Sequence, residues 1–136
     1  MLYLGRMSIF KVQIVACNPD TGEWSKAPVE AVVDTGSELT WLPANALREI
    51  GIMPRRSRIV LDAATQPVVR EVGYVVLDCH GIKTTDEVVF AGPGDQIILG
   101  ARTLKGFGIT VDDKEHSFVS VLSLKPLVLD DLPKAA

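Results

Sequence analysis

The sequence predicts an all-β fold in which short strands close into a barrel, with one or two short helices. Many short runs are rich in β-branched and other apolar residues, and clusters of turn-forming residues separate them. Only two segments have helical spacing of their apolar residues, and both are short. Many short strands with few helices are typical of a mostly-β, barrel-like architecture.

The length indicates one domain. A chain of 136 residues fits a single domain, with a core over about 8–124 and a tail over 125–136. A domain of this size buries roughly two-thirds of the surface of its unfolded chain, which suffices for a hydrophobic core.

The charge gives no reason to expect nucleic acid or a membrane as a partner. The net charge is only −3, too small to favour binding to polyanions. The one basic cluster, Arg55, Arg56 and Arg58, is interpreted as a solvated loop after a helix rather than a phosphate site. No apolar run reaches the length of a membrane span, and the first ten residues lack the apolar stretch of a signal peptide.

The cysteines and histidines predict neither a metal site nor a cofactor. His80 and His116 have no metal-ligand spacing to Cys17 or Cys79. Each cysteine ends a strand-like run, so we expect two buried free thiols in a reducing compartment, and therefore a cytoplasmic protein. The sequence leaves a disulfide open.

The first two strands are predicted to form a hairpin with a long loop. They cover 8–17 and 29–33, which are rich in β-branched residues. The residues 18–22 are dense in turn formers, and the triplet Asp20-Thr21-Gly22 among them is interpreted as a plain loop. A short apolar strand over 39–42 follows.

The first helix is predicted over 43–50. Pro43 suits the first turn of a helix, and Gly51 suits the position just after its end. A β-hairpin with a small polar tip at 62–66 then joins strands over 58–61 and 67–77.

The second half continues with short elements. A strand over 84–90 precedes a firm break at 92–95. The fully apolar strand 97–99 is expected to be buried on both faces. The last predicted elements are one or two helical turns over 100–106 and a pair of strands over 109–111 and 117–124.

Asp34 is the candidate catalytic residue. It follows the apolar run 29–33 directly and precedes another apolar strand, which places a carboxylate at the edge of the core rather than at a polar loop tip. A second run, 96–100, contains three consecutive apolar residues and ends in a glycine, Gly100. Taken alone, Asp34 is equally well explained as a turn carboxylate that accepts backbone hydrogen bonds.

Three segments resemble parts of the aspartic proteases. The run Ala31-Val32-Val33-Asp34-Thr35-Gly36-Ser37 resembles their active-site turn. Ile97-Ile98-Leu99-Gly100, followed by Leu104 and Gly108, resembles the strand, glycine and helix of the retroviral-type members, and 61–73 resembles their flap hairpin. The match covers about 12–121 and is strongest for the small bacterial and archaeal retropepsin-like proteases. It implies a closed acid-protease barrel.

The resemblance also implies a mechanism and a partner. In these enzymes two nearby carboxyl groups share one proton and act as general base and general acid in hydrolysing a peptide or protein substrate. This chain offers one suitable aspartate, Asp34. The second must come from an identical subunit, so a homodimer with the active site on its twofold axis is expected.

The residues around Asp34 take their expected roles from the same resemblance. Thr35 would hydrogen-bond across the dimer, and Gly36 would let the two turns approach closely. Ser37 would donate a hydrogen bond to Asp34. Leu99 and Gly100 would support the turn by packing an apolar strand against it.

The flap tip would close over the substrate and exclude water. Its residues are Ala63, Ala64, Thr65 and Gln66. It departs from the family pattern because it lacks the glycine that is common near the tip. Val60 and Ile98 are expected to line the cleft and to favour hydrophobic substrate residues.

Two other functions stay open. One is a catalytically inactive retropepsin-like module for binding or dimerisation, and the altered flap tip favours it. The other is an unrelated ligand-binding β-barrel in which Asp34 is structural. Trp24 is interpreted as loop packing near the cleft border, Trp41 as a core or interface residue, and Glu38 as a solvated or cross-dimer polar group.

Overall fold

The computed structural model describes residues 10–112, 114, 117–120 and 126–127, and within them the chain forms ten strands and two helices. The strands are β1 (Lys11–Cys17), β2 (Val29–Val33), β3 (Trp41–Pro43), β4 (Arg56–Leu61), β5 (Pro67–Cys79), β6 (Ile82–Ala91), β7 (Ile98–Leu99), β8 (Ile109–Asp112), β9 (Ser117–Ser120) and β10 (Pro126–Leu127). The helices are α1 (Ala44–Glu49) and α2 (Ala101–Phe107).

Six strands pair in a ring. The order is β1, β2, β7, β3, β6 and β5, and β5 pairs back to β1. Strand β4 pairs with β5 outside this ring and forms the predicted hairpin with it. Strands β8, β9 and β10 form a separate three-stranded sheet. The predicted class is confirmed to this extent: the chain is mostly β-sheet with two short helices.

Two parallel strand pairings within the ring position the candidate site. Strand β2 runs parallel to β7, with Val33 opposite Leu99, and β3 runs parallel to β6. Parallel neighbours end at the same edge of a sheet. Asp34, which follows β2, therefore lies beside Gly100, which follows β7.

The apolar residues pack in two groups. The larger group includes Ile14, Leu47, Leu77 and Leu104 and fills the ring beneath the helices. The smaller group, here called the second core, consists of Leu39, Trp41, Val60, Val72, Val89, Ala91 and Ile98. Burying a side chain of this kind stabilises the fold by roughly 1.5–3 kcal/mol. The second core includes Val60 of β4 and Val72 of β5 and so packs the β4–β5 hairpin against the ring.

Both helices end at glycines with left-handed backbone. Gly51 has φ of +80° directly after α1 and its neighbour Ile50, as the sequence predicts. Gly108, with φ of +75°, closes α2 by donating its N–H to the carbonyls of Leu104 and Lys105. Glycine adopts this conformation without steric cost. Neither of the two described helices has the length and apolar character needed to cross a bilayer.

Several predicted bounds need correction. Strand β3 begins at Trp41 rather than Leu39, because 37–40 is a loop held by its own polar contacts. Helix α1 begins at Ala44 because Pro43, with ψ of 129°, is still extended. Strands β5 and β6 extend further toward their connecting turn than predicted, to Cys79 and from Ile82.

Some residues that were predicted at the two ends of the chain lie outside the described part. The predicted strand residues 8–9 and 121–124 lie outside the described residues. Of the tail over 125–136, the structure describes only β10, which pairs with β9.

Both cysteines are buried free thiols, as predicted. Burial raises the pKa of Cys79 to about 12, and the negative charge of Asp78 adds to the increase. Burial also raises the pKa of Cys17, while the charge of Lys83 opposes the change. Both groups are therefore held as unreactive thiols, since the thiolate is the nucleophilic form.

Candidate active site

Asp34 begins a tight turn that its own polar groups brace. Its N–H donates to the Leu99 carbonyl at 3.0 Å, and its carbonyl accepts the N–H of Ser37 at 3.1 Å. Its Oδ1 accepts the N–H of Gly36 at 2.9 Å. Its Oδ2 makes no hydrogen bond to any of the described residues. The half-buried carboxyl group is thus held in place with one oxygen left for another partner.

The predicted hydrogen bond from Ser37 to Asp34 is wrong. The Ser37 hydroxyl donates to the Leu39 carbonyl at 2.8 Å. A hydroxyl has a single proton to donate, so Ser37 stabilises the loop after the turn and not the carboxylate. The backbone N–H of Gly36 takes the place expected for the hydroxyl.

Gly100 packs directly against the loop after the turn, as the resemblance implies. A Cβ built on Gly100 would overlap the Leu39 carbonyl oxygen and would lie 2.6 Å from the Leu39 carbonyl carbon. Real Cβ atoms essentially never come so close to backbone. Any larger residue at Gly100 therefore has to displace the loop that carries the candidate site.

The start of α2 holds the same loop. The N–H groups of Ala101 and Arg102 donate to the carbonyls of Ser37 and Glu38 at 2.8 and 3.0 Å. The first N–H groups of a helix lack partners within it. Here loop carbonyls satisfy two of them, so the helix and the loop are fixed to one another.

A buried chain of hydrogen bonds connects this loop to β6. The Gly100 N–H donates to Thr40 Oγ1 at 2.9 Å, and Thr40 Oγ1 lies 2.6 Å from Thr103 Oγ1. Thr103 Oγ1 donates to Asp86 Oδ2 at 3.1 Å, and Arg102 pairs with Asp86 Oδ1 at 3.3 Å. A carboxylate only accepts, so the Thr103 proton points to Asp86 and Thr40 must donate to Thr103. Every hydrogen bond in this chain therefore has a defined direction.

A cleft of about 390 Å³ opens above the Asp34 turn. Val60 and Ile98 line it, as predicted, together with the buried Trp41. The full lining comprises Asp34, Gly36, Ser37, Glu38, Leu39, Trp41, Arg58, Ile59, Val60, Leu61, Asp62, Ala63, Thr65 and Ile98. The turn, the second core and the tip of the β4–β5 hairpin thus meet at one opening.

The hairpin tip is organised by Asp62. Its Oδ1 accepts the N–H groups of Ala64 and Gln66, each at 2.9 Å. Thr65 adopts φ of +59°, a left-handed conformation that is uncommon outside glycine. Where the resemblance led us to expect a glycine, the tip therefore has a threonine with left-handed backbone, in a turn that Asp62 caps.

The four predicted tip residues do not all line the same cavity. Ala63 and Thr65 line the cleft, whereas Ala64 lines a smaller neighbouring pocket. Gln66 is exposed and lines neither.

An ion pair attaches the hairpin to the turn at 92–95. Arg70 donates from Nε to Asp95 Oδ2 at 2.8 Å and from Nη2 to Asp95 Oδ1 at 2.9 Å. The Gly92 N–H also donates to Asp95 Oδ2, at 2.8 Å. The hydrogen bond from Arg70 is the main cause of a lowered pKa of Asp95. Such paired, charge-assisted contacts fix orientation as well as adding energy.

Arg55 lies in the loop that the sequence suggested and is about half exposed, but Arg56 and Arg58 do not belong to that loop. Arg56 and Arg58 belong to β4, and both donate to the Glu87 carboxylate, whose side chain is 3% exposed. Arg55 Nη1 lies 4.0 Å from the same carboxylate. Burial raises the pKa of Glu87, but hydrogen bonds from Arg56 and Arg58 outweigh burial and lower it. The prediction failed because Glu87 comes from a distant strand.

The predicted roles of Thr35 and Glu38 in a dimer stay predictions. Thr35 is exposed, and its side chain has no hydrogen-bond partner in the described part of the chain. Trp24 packs against its neighbours, as predicted, but does not border the cleft. It forms a backbone bridge to Cys17, and the centre of its ring lies 5.5 Å from Lys83 Nζ. Glu38 is exposed and lines the cleft.

Sequence reasoning missed Asp62 and the residues of the buried hydrogen-bond chain. Asp62 had a usable signal, because an aspartate at the start of a tight turn often caps the N–H groups that follow. Thr40, Asp86 and Thr103 had none, as they lie far apart in the chain. Across the residues that the structure describes, no three His, Cys, Asp or Glu side chains group as a metal-ligand set.

No protein-family model matches this sequence, and no curated protein matches it significantly. Among solved structures, the chain is similar to the foamy viral protease-reverse transcriptase in complex with an RNA/DNA hybrid. The identity is 20%, the TM-score is 0.52, and the match covers 73% of this chain and 12% of that chain. A second structure of the viral protein, with double-stranded DNA, has 20% identity and a TM-score of 0.49 over 69% of this chain and 15% of that chain.

The likeness concerns the fold alone. At 20% identity it indicates a retroviral-type protease fold. The chain spans only 12% of that viral chain, so the activities of the whole viral protein do not carry over with it.

Proposed function

We propose that this chain is one subunit of a homodimeric aspartic endopeptidase and that Asp34 is its catalytic residue. The observation that carries the proposal is the placement of Asp34. Its carboxyl group lies on a turn braced by Leu99 and Gly36, at the floor of a cleft, with Oδ2 unoccupied by any described residue. A carboxylate held in this way is suited to positioning a water molecule for attack on a peptide carbonyl.

The reaction needs two carboxyl groups. In the proposed dimer, one Asp34 carboxylate removes a proton from water as the water oxygen attacks the peptide carbonyl carbon. The carboxyl group of Asp34 of the partner subunit gives its proton to the carbonyl oxygen. The tetrahedral intermediate then collapses: the C–N bond breaks, the carboxyl group that took the water proton gives it to the leaving nitrogen, and the other carboxylate takes back a proton from a hydroxyl group of the intermediate. Two adjacent carboxyl groups share one proton because both cannot be ionised at short distance.

The surroundings of Asp34 support this assignment. Thr35 and Gly36 are exposed on the turn, and this leaves them accessible to a second copy of the chain. The hairpin tip borders the same cleft through Ala63 and Thr65, where it would limit the access of water to bound substrate. The apolar part of the lining suits a peptide with hydrophobic residues near the cleaved bond. The two buried free thiols suit a reducing, cytoplasmic location.

An inactive binding module is the second candidate function. The observation that favours it is the hairpin tip, where Thr65 adopts a left-handed conformation and Asp62 caps the turn. A tip stiffened in this way would open less easily than a glycine-containing one. Such a module would bind peptides in the cleft without cleaving them.

The variant Asp34→Asn tests the proposal against a control within the same chain. Asp20 belongs to another Asp-Thr-Gly triplet, at 20–22, outside the cleft. Cleavage of a peptide library, read by mass spectrometry, should fall at least about 100-fold in Asp34→Asn and stay unchanged in Asp20→Asn. Equal cleavage by Asp34→Asn and the parent would refute the mechanism. Peptide binding without cleavage by the parent would favour the inactive module.

A mixing experiment tests the shared site. When parent and Asp34→Asn are unfolded together in equal amounts and refolded, random pairing leaves about one quarter of the dimers with two intact aspartates. Activity per total protein should therefore fall to about one quarter of the parent value. A fall to one half would mean that each chain acts alone.

A further inference from the structure

We propose that Arg58 forms a subsite in the cleft that binds an acidic side chain of the peptide substrate. This inference extends the proposed function. Cleavage of an acidic peptide depends on that function, whereas binding of the peptide by Arg58 does not. Arg58 lines the cleft together with Asp34, and its side chain is 29% exposed. It brings a cation to an opening that apolar residues also line.

The charges around Arg58 are not balanced. Arg55, Arg56 and Arg58 all pair with one carboxylate, that of Glu87, and form no other ion pair with a described residue. One negative charge against three positive ones leaves a local excess of two. Arg55 and Arg56 remain about half exposed. Arg55 and Arg56 do not line the cleft, but they share the single charge of Glu87 with Arg58, so the charge of Arg58 is not fully neutralised by Glu87.

Glu87 also prepares Arg58 for binding. The buried carboxylate accepts Arg58 Nη1 at 2.9 Å, so the guanidinium group is held before any ligand arrives. A guanidinium group has five N–H donors in a rigid plane, and only one of Arg58's is used in this contact. The remaining donors can take a carboxylate with two parallel hydrogen bonds. A group that is already oriented loses less entropy when it binds.

The acidic residues of the cleft lie elsewhere along its wall. Asp34 and Glu38 belong to the active-site loop, and Asp62 uses Oδ1 to cap the hairpin tip. Asp62 follows Arg58 by four positions, which corresponds to about 13 Å of extended chain at 3.3 Å per residue. The cation of Arg58 and the carboxylate of Asp62 therefore lie at different positions along the hairpin wall of the cleft.

This arrangement specifies a class of substrate. The apolar residues Val60, Leu61 and Ile98 also line the cleft. An extended peptide alongside β4 would place hydrophobic side chains there and an aspartate or glutamate two to three residues further along, because Arg58 lies two positions from Val60 and three from Leu61 in an extended strand.

Matched peptides test the subsite. Two peptides with the same hydrophobic centre carry either aspartate or asparagine at the positions two and three residues away. In the parent, kcat/KM should be about tenfold higher for the aspartate peptide, and the ratio should approach one in Arg58→Gln. Arg58→Lys, which keeps the charge but not the planar group, should give an intermediate ratio. Arg48→Gln, outside the cleft in an exposed pair with Glu71, should keep the parent ratio.

A binding measurement separates this inference from the proposed function. The same peptides, labelled with a fluorophore, are titrated with Asp34→Asn and with the double variant Asp34→Asn, Arg58→Gln. Preferential binding of the aspartate peptide that Arg58→Gln abolishes supports the subsite, even where no hydrolysis is found. Hydrolysis without any preference for the aspartate peptide overturns the subsite and leaves the endopeptidase standing. Equal binding of both peptides overturns it as well.

Discussion

The hydroxyl oxygens of Thr40 and Thr103 lie 2.6 Å apart in the interior, although 63 positions separate the two residues. Thr40 belongs to the loop after the Asp34 turn, and Thr103 belongs to α2. Through Thr103 the hydrogen bonds continue to Asp86 on β6, and through Thr40 they reach the N–H of Gly100. One chain of polar contacts therefore ties the loop, the helix and the sheet together behind the candidate active site.

Replacing Thr103 by valine should loosen this connection. Valine has nearly the shape of threonine but cannot donate to Asp86 or accept from Thr40. Leaving these buried groups without a partner should lower the free energy of unfolding by about 1–3 kcal/mol. Denaturant unfolding of Thr103→Val measures the effect. The exposed Thr110→Val is the control and should change stability by less than about 0.5 kcal/mol. Equal stability of the two variants would contradict a structural role for the hydroxyl.

Replacing Gly100 by alanine should be more damaging than any other small change near the site. The new methyl group would overlap the Leu39 carbonyl, and the backbone has to move to relieve the contact. We expect the free energy of unfolding to fall by about 3 kcal/mol, the upper end of the usual cost of overpacking. Gly92→Ala is a matched control, since the nearest atom to its added Cβ lies 3.7 Å away. A fully stable Gly100→Ala would show that the loop is less tightly packed than described.

The ion pair between Arg70 and Asp95 should make stability depend on pH. The pKa of Asp95 is lowered in the folded chain, so the unfolded chain binds more protons as the solution is acidified. The stabilisation is complete above the unfolded value of about 4 and is lost as the pH falls through the folded value. Asp95→Asn should be less stable than the parent at pH 7, and the difference should shrink by pH 3. A difference that is the same at both pH values would argue against this linkage.

The activity of the proposed enzyme should follow a bell-shaped pH profile on the acid side. One carboxyl group must be ionised and the other protonated, and both conditions hold only between the two ionisations of the pair. Measuring kcat/KM between pH 3 and 8 for a hydrophobic peptide gives the profile. Activity that is flat from pH 4 to pH 8 would count against a shared proton between two aspartates.

Much of the fold can be predicted from local patterns. Strand β2 coincides with its predicted bounds at Val29–Val33, and the hairpin, the glycine after α1 and both short helices are present within a few residues. These features depend on residues that are neighbours in sequence, such as alternating apolar residues or a glycine after a helix. The position of Asp34 directly after the apolar strand β2 can likewise be predicted from neighbouring residues.

The partners of polar side chains could not be predicted in this way. Ser37 has its donor directed to Leu39 rather than to Asp34 because the loop folds back on itself. Arg58 reaches the cleft wall because β4 pairs with β5, and β5 with β6, which carries Glu87. Which of several nearby acceptors a donor reaches depends on where distant strands lie.

The order of residues along the chain thus determined the elements and the setting of the one candidate catalytic aspartate, since apolar periodicity and turn chemistry act over a few residues. The tertiary structure decided which distant groups meet: Leu99 and Gly100 beside Asp34, Thr40 on Thr103, and Arg58 on Glu87 at the rim of the cleft. The physical reason is that a hydrogen bond or ion pair requires a separation of a few ångströms, and only the closed ring of strands brings residues from opposite ends of the sequence that close.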